Sequence, residues 1–175
     1  MKRNYYNKSM CALCGGKCCQ NMAGSYAPED FKQELTSDFI VSLLLTGKFA
    51  IDWYEGDARY KKTDWNNDNH LSATYYLRPR HVKEDAVKGS WGGVCVNWKQ
   101  ETGCSLEKSD RPMGCRKLVP KFDRKTDDTS CFYKKEDKAG KQEIAARWIP
   151  FQNIIQEAKT KYFQFQEDGR LIAAE

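Results

Sequence analysis

The chain has 175 residues, 40% of them apolar, 13% aromatic and 30% charged, with a formal net charge of +5. That length can bury a real core without obligatory staples, and the aromatic content argues against disorder. No window approaches the roughly 18 apolar residues of a membrane span, and MKRNYYNKSM has no apolar run behind its basic residues, so no membrane association or secretory signal is expected and the expected location is cytoplasmic.

In chain order, the first feature is CALCGGKCC, residues 11–19, expected as a dense amino-terminal loop. SYAPEDFKQELTSDFIVSLLLTG then predicts a helix. Pro28 suits a first turn, Glu29 and Asp30 suit its positive end, Phe31, Leu35, Phe39 and Leu43 recur every fourth residue, and Gly47 supplies the stop. FAIDWY (49–54) and TYYLR (74–78) read as strands, with TDWNNDNH (63–70) a loop between them. GVCVNW (93–98) and GCSLE (103–107) predict a hairpin that draws Cys95 and Cys104 together. Residues 121–143 read as polar and irregular, and a second helix is expected over about 149–163. With no internal repeat and no linker, residues 1–175 form one small α+β domain of short antiparallel strands or hairpins, two main helices and a cysteine-rich, metal-bound loop region.

The metal expectation rests on eight cysteines, Cys11, Cys14, Cys18, Cys19, Cys95, Cys104, Cys115 and Cys131. In a short secreted chain an even set reads as disulfides, whereas a reducing compartment favours metal ligation; a redox dithiol is the remaining alternative. Cys-x-x-Cys supplies two zinc ligands from one tight turn, and Gly15 and Gly16 let the chain fold back beside them. In an extended backbone Cys18 and Cys19 point to opposite sides, suiting two metals, or one metal and the core. Two four-thiolate zinc sites and an iron–sulfur cluster with spare ligands both fit the count; the spacing differs from the ferredoxin run.

CALCGGKCC, followed by GGVCVNWKQETGCSLEKSDRPMGCRKLVP and a later Cys131, resembles the YkgJ-type zinc- or iron-chelating family. The likeness spans residues 11 to about 131. Cys11, Cys14, Cys18 and Cys19 match its amino-terminal cluster, and Cys95, Cys104, Arg111, Pro112, Cys115 and Arg116 match its second part. Three residues precede the Cys-Cys pair here where the family pattern has two. The resemblance implies that the eight cysteines hold zinc or iron, with an iron–sulfur cluster as one form; it implies no reaction.

Outside the cysteines, His70 and His81 are the two histidines, each a lesser ligand candidate. Arg78, Arg111 and Arg116 are candidates to hold a protein or an anionic ligand near the thiolates. Asp52, Glu55 and Asp57 read as solvated hairpin-end residues. Between Arg111 and Lys141 ten Lys or Arg stand against five Asp or Glu. This segment reads as a solvated lysine-rich loop, and without a recognition-helix pattern nucleic acid is disfavoured. No phosphate loop, G-x-S-x-G or H-E-x-x-H is present. The sequence therefore points to a metal-binding protein. The alternatives are a metalloenzyme or protein-modification enzyme with an open site and, second, a nucleic-acid binder using 111–141.

Overall fold

The computed structural model describes residues 8–21, 23–64, 71–87, 92–100, 102–123 and 128–172. The cysteine-rich start is helical rather than a loop: α1 (Lys8–Cys14) and α2 (Lys17–Asn21) are joined by Gly15 and Gly16. Their φ values of 64° and 76° are cheap only for glycine, and two left-handed residues in succession reverse the chain within one turn.

The next helix starts later than its apolar stripe. Pro28–Asp30 makes a single 3-10 turn in which Asp30 Oδ2 accepts the Ala27 N–H at 3.0 Å. After an irregular stretch, α3 (Ser37–Leu45) begins at an N-cap, where Thr36 Oγ1 accepts the Phe39 N–H at 3.2 Å. Phe31 and Leu35 still join the core, but from the irregular stretch. The sequence reading took one apolar face for one helix and passed over the capping threonine.

The two expected strands are present as β1 (Phe49–Glu55) and β2 (Ala73–Pro79), antiparallel, with Ile51 opposite Leu77 and Trp53 opposite Tyr75. Residues 65–70 of the loop between them lie outside the described residues. The expected hairpin shortens to β3 (Trp98–Lys99) and β4 (Gly103–Cys104), followed by the short helix α4 (Met113–Arg116). The described residues of 121–143 are mostly in regular elements rather than irregular. β5 (Leu118–Asp123) and β6 (Asp128–Tyr133) form a hairpin, and α5 (Lys141–Arg147) follows. A 3-10 turn over Ile149–Phe151 then leads into α6 (Gln152–Ile172), which outruns the expected end near 163. Beyond Tyr162 the helix no longer carries a core-facing stripe, so the pattern that announced it stops before the helix does.

The core lies between the β1–β2 ribbon and the helices α3, α5 and α6. Trp148 is its largest wholly buried side chain, and its Nε1 donates to Tyr26 O at 2.8 Å, satisfying the one polar atom it buries. No helix among the described residues is long and apolar enough to cross a membrane.

Candidate metal centre

Five cysteines from four parts of the chain line one small cavity: Cys18 and Cys19 on α2, Cys95 just before a turn, Cys104 on β4 and Cys115 on α4. The cavity measures about 20 Å³, and its otherwise mostly apolar wall includes Ala23, Pro79, Leu106, Pro112 and Leu118 beside the polar Asn97. That is room for about one water-sized sphere.

Backbone contacts hold the sulfur-bearing segments together. Cys95 N–H donates to Cys19 O at 2.7 Å and Gly93 N–H to Asn21 O at 2.9 Å, so α2 and the Cys95 segment are joined main chain to main chain. His81 and Cys95 form an isolated antiparallel bridge beyond the end of β2. On the other side Gly114 N–H donates to Ser25 O at 3.0 Å. A Cβ on Gly24 would stand 2.6 Å from Cys115 Sγ, and one on Gly114 would stand 2.7 Å from Ser25 N. Only glycine on both sides allows this approach. Asp30 fixes α4 by accepting the Met113 N–H at 2.7 Å and pairing with the Arg116 guanidinium.

The thiols are electrostatically dissimilar. Cys18 is lowered to about 6, chiefly because the Cys19 thiol donates to it, with the Cys19 backbone N–H adding to the effect. Cys19, as that donor, is pushed far up, first by this bond and then by burial. Burial also raises Cys115 and Cys95, and the neighbouring thiols raise both further; N–H groups of Gly24 and Asn97 partly offset this at Cys115 and Cys95 respectively. Several thiolates in one apolar cavity repel each other, so the protein alone favours one ionised sulfur and its protonated neighbours. A cation reverses that balance.

The sulfurs line the cavity without converging on a point: among the described residues no three His, Cys, Asp or Glu side chains are already arranged to hold a metal ion. The seven cysteines with described side chains form no disulfide. Cys14 and Cys131 are among them, both half-buried and neither lining the cavity; Cys11 sits on α1, with its side chain outside the described residues.

The other candidates are used structurally. His81 is buried, and its Nε2 accepts the Ala23 N–H at 3.2 Å. Burial and then Arg78 hold it below its ordinary pKa, so it stays neutral with that lone pair engaged. His70 lies outside the described residues. Arg78 is 1% exposed; it meets Asp52 at 2.6 Å and Glu84 at 2.8 Å through Nη1, with a second contact to Glu84 through Nη2. Its guanidinium is thus filled by carboxylates of the chain itself. Asp52, read from sequence as solvated, is buried here. Asp52 lies inside β1 rather than at a hairpin end, within the expected strand FAIDWY. Arg116 pairs with Asp30 and also donates to Arg111 O; Arg111 Nε donates to Leu106 O at 3.2 Å, and Lys117 pairs with Asp137 at 3.5 Å. These contacts engage part of the basic 111–141 segment internally.

No protein-family model, curated protein or solved structure matches the chain.

Proposed function

We propose that the protein is a metal-binding domain that holds a thiophilic ion, zinc or iron, among Cys18, Cys19, Cys95, Cys104 and Cys115. The observation that carries this reading is the meeting of five free thiols from four chain segments around one cavity. The surroundings fit such an ion. N–H groups of Cys19, Asn97 and Gly24 face sulfur atoms, as donors around metal-bound thiolates do. The Gly24 cradle would be filled by any Cβ. Trp98 Nε1, on the strand paired to Cys104, is buried with no acceptor, 2.6 Å from where a Gly16 Cβ would lie. A thiolate centre supplies acceptors of the kind it lacks.

A bound cation would supply the positive charge that allows these sulfurs to ionise together. The chain's own part is to bring them together, exclude water with apolar walls and direct N–H groups at them. The small cavity favours a single ion such as zinc. The fifth thiol, one more than tetrahedral zinc uses, favours a second reading in which iron and sulfide occupy an enlarged site. The likeness of the cysteine pattern to the YkgJ-type family supports the same class of function, and the expected cytoplasmic location accords with free thiols.

The test is metal and acid-labile sulfide content, with a visible spectrum, on protein purified without oxygen. Colourless protein carrying zinc supports the first reading, and brown protein carrying iron and sulfide the second. Metal-free protein whose thiols are paired as disulfides would refute both.

A further inference from the structure

The segment that carries Cys18 and Cys19 is fixed at alternate residues, 19, 21 and 23. Cys19 O accepts the Cys95 N–H at 2.7 Å, Asn21 O accepts the Gly93 N–H at 2.9 Å, and the Ala23 N–H donates to His81 Nε2 at 3.2 Å. The first two bonds join main chain to main chain. The third is made by a side chain, at the point where the backbone leaves α2 and enters the cavity wall at Ala23 and Gly24. His81 is 1% exposed and Ala23 5%, so water does not readily replace this acceptor, and an amide left without one there is costly.

The imidazole is itself firmly placed. His81 and Cys95 form their antiparallel bridge between two main-chain bonds, Val82 N–H to Val94 O at 2.7 Å and Val96 N–H to Arg80 O at 3.0 Å. A Cβ on Gly93 would stand 3.0 Å from His81 Cβ and 3.2 Å from Nδ1, so the backbone of this segment lies close against the ring. Glu84 Oε2 accepts the His81 N–H at 2.8 Å and lies 3.5 Å from Nδ1. Because Nε2 accepts from Ala23, the neutral ring carries its proton on Nδ1, toward that carboxylate. Glu84 is held by Arg78 Nη1 at 2.8 Å, and Arg78 Nε by Asp52 of β1 at 2.6 Å. A continuous chain of contacts thus runs from β1 through Arg78, Glu84 and His81 to the backbone beside Cys19.

We propose that His81 is a positioning residue of the metal centre: by accepting the Ala23 N–H it keeps the Cys18–Cys19 segment against the Cys95 segment, so that sulfurs from both serve one ion. The proposal rests on the metal-binding reading above. His81 is not a ligand in this role, since its Nε2 lone pair is engaged by Ala23 and its Nδ1 carries the proton; it acts through the backbone. A role in general stability predicts something different. While the folded form dominates, a loss of overall stability leaves metal affinity unchanged, because apparent affinity falls only with the binding-competent fraction. A loosened α2 lowers affinity in a chain that is still folded. The nature of the side chain at position 81 separates the two cases further. His81→Leu leaves the buried Ala23 N–H without its acceptor, whereas His81→Gln keeps a neutral oxygen that accepts in place of Nε2.

The experiment is cobalt(II) titration of the reduced full chain in competition with a chromophoric chelator, read by the visible bands of cobalt–thiolate coordination. It compares wild type, His81→Leu, His81→Gln and Ile155→Val. Ile155 is wholly buried in the Trp148 core, so its truncation costs stability away from the cavity. His81→Leu is expected to remain folded by circular dichroism, to shift the cobalt bands and to bind about tenfold more weakly, the lower end of the effect of partners outside the ligand set. His81→Gln should restore the wild-type bands and most of the affinity, and Ile155→Val should keep both. Wild-type affinity and bands in His81→Leu would overturn the proposal and leave the five-thiol reading standing. Equal weakening in His81→Leu and Ile155→Val would also overturn it, since the effect would then be one of general stability. So would failure of His81→Gln to restore binding, because acceptance of the Ala23 N–H would not be what matters. A His81→Leu chain that does not fold even with cobalt would overturn it too, making His81 a residue of the fold at large. No cobalt bound by any of the four proteins would overturn the metal-binding reading itself.

Discussion

Replacing Gly24 with alanine tests the cavity at its tightest point. An ideal Cβ there lies 2.6 Å from Cys115 Sγ, 2.8 Å from Cys115 N and 3.0 Å from Gly114 C. A sulfur can turn away, but the other two atoms are backbone and are held to the same segment by the 3.0 Å bond from Gly114 N–H to Ser25 O. Overpacking a well-packed site costs about 1–3 kcal/mol, and immobile backbone places this case at about 2–3 kcal/mol. Relief by retreat of α4 would carry Cys115 out of the cavity, so metal affinity should fall with stability. At about 1.4 kcal/mol per factor of ten, the expected loss of affinity is tenfold or more. Urea unfolding of reduced, chelated protein measures the first effect, and competition against a chromophoric chelator the second. Gly169→Ala is the control: it lies in α6 with nothing within 4 Å of its Cβ, and should stabilise by about 0.5–1 kcal/mol through helix propensity. A Gly24→Ala protein as stable as wild type, with unchanged affinity, would refute the close approach.

Three further outcomes are expected. Because Cys19, Cys95 and Cys115 are all raised above the ordinary thiol value, ligation by these three near pH 7 should alone release about three protons, and log affinity should climb with pH at a slope of about 3 or more; a flat pH profile would mean that these thiols are not the ligands. Arg78→Met should cost about 3–5 kcal/mol in chemical denaturation by stranding Asp52 and Glu84. Replacing all three with apolar residues should cost less than that single change, and a loss under about 1 kcal/mol for Arg78→Met would mean that the carboxylates reach water. His81 is held below its unfolded pKa of about 6.5 by burial and by Arg78, against the pull of Glu84 and Asp52. The unfolded chain therefore binds the proton more readily, and the His81 contribution, present above that pKa, is lost as pH falls through it. The stability gap between wild type and His81→Gln should narrow from pH 7 to pH 5, and a constant gap would show that His81 does not titrate differently on folding.

What the sequence revealed depended on whether one residue pattern mapped onto one element. FAIDWY and TYYLR did, because a half-buried ribbon needs aromatic and β-branched residues, and both strands lie close to their expected bounds. The stripe from Phe31 to Leu44 did not. Thr36 caps a shorter helix, and Asp30, spent on the Ala27 and Met113 N–H groups, holds the preceding turn to α4. The β5–β6 hairpin was missed because its residues alternate only weakly, with Lys121, Asp123, Asp128 and Ser130 hiding the pairing. The Arg78–Asp52–Glu84 cluster joins positions distant in sequence, and no local pattern announces such a pairing. All eight thiols could be named as candidates from sequence alone. That Cys18, Cys19, Cys95, Cys104 and Cys115 line one cavity could not, since it follows from main-chain contacts between segments far apart in the chain.

The adjacent cysteines acquire a different meaning once α2 is helical. An extended CysCys places its sulfurs on opposite sides, which favours separate metals; on a helix the two side chains stand about 100° apart, and both Cys18 and Cys19 line the same cavity. The pair therefore acts as one two-sulfur contribution from a single short helix, with the Cys19 thiol already donating to Cys18. The remaining three sulfurs come from segments far along the chain, each held by its own main-chain contact. A five-residue helix has little stability by itself, and α2 buries no residue of its own. Its attachments include the bonds from Cys95 and Gly93 to its carbonyls and, on the reading proposed, the metal. Removing the ion should therefore loosen α2 before it disturbs the Trp148 core. Amide exchange should increase first at Cys18–Asn21 after chelation, while Ile144, Ile155 and their neighbours stay protected. Equal protection of α2 with and without metal would refute its dependence on the ion.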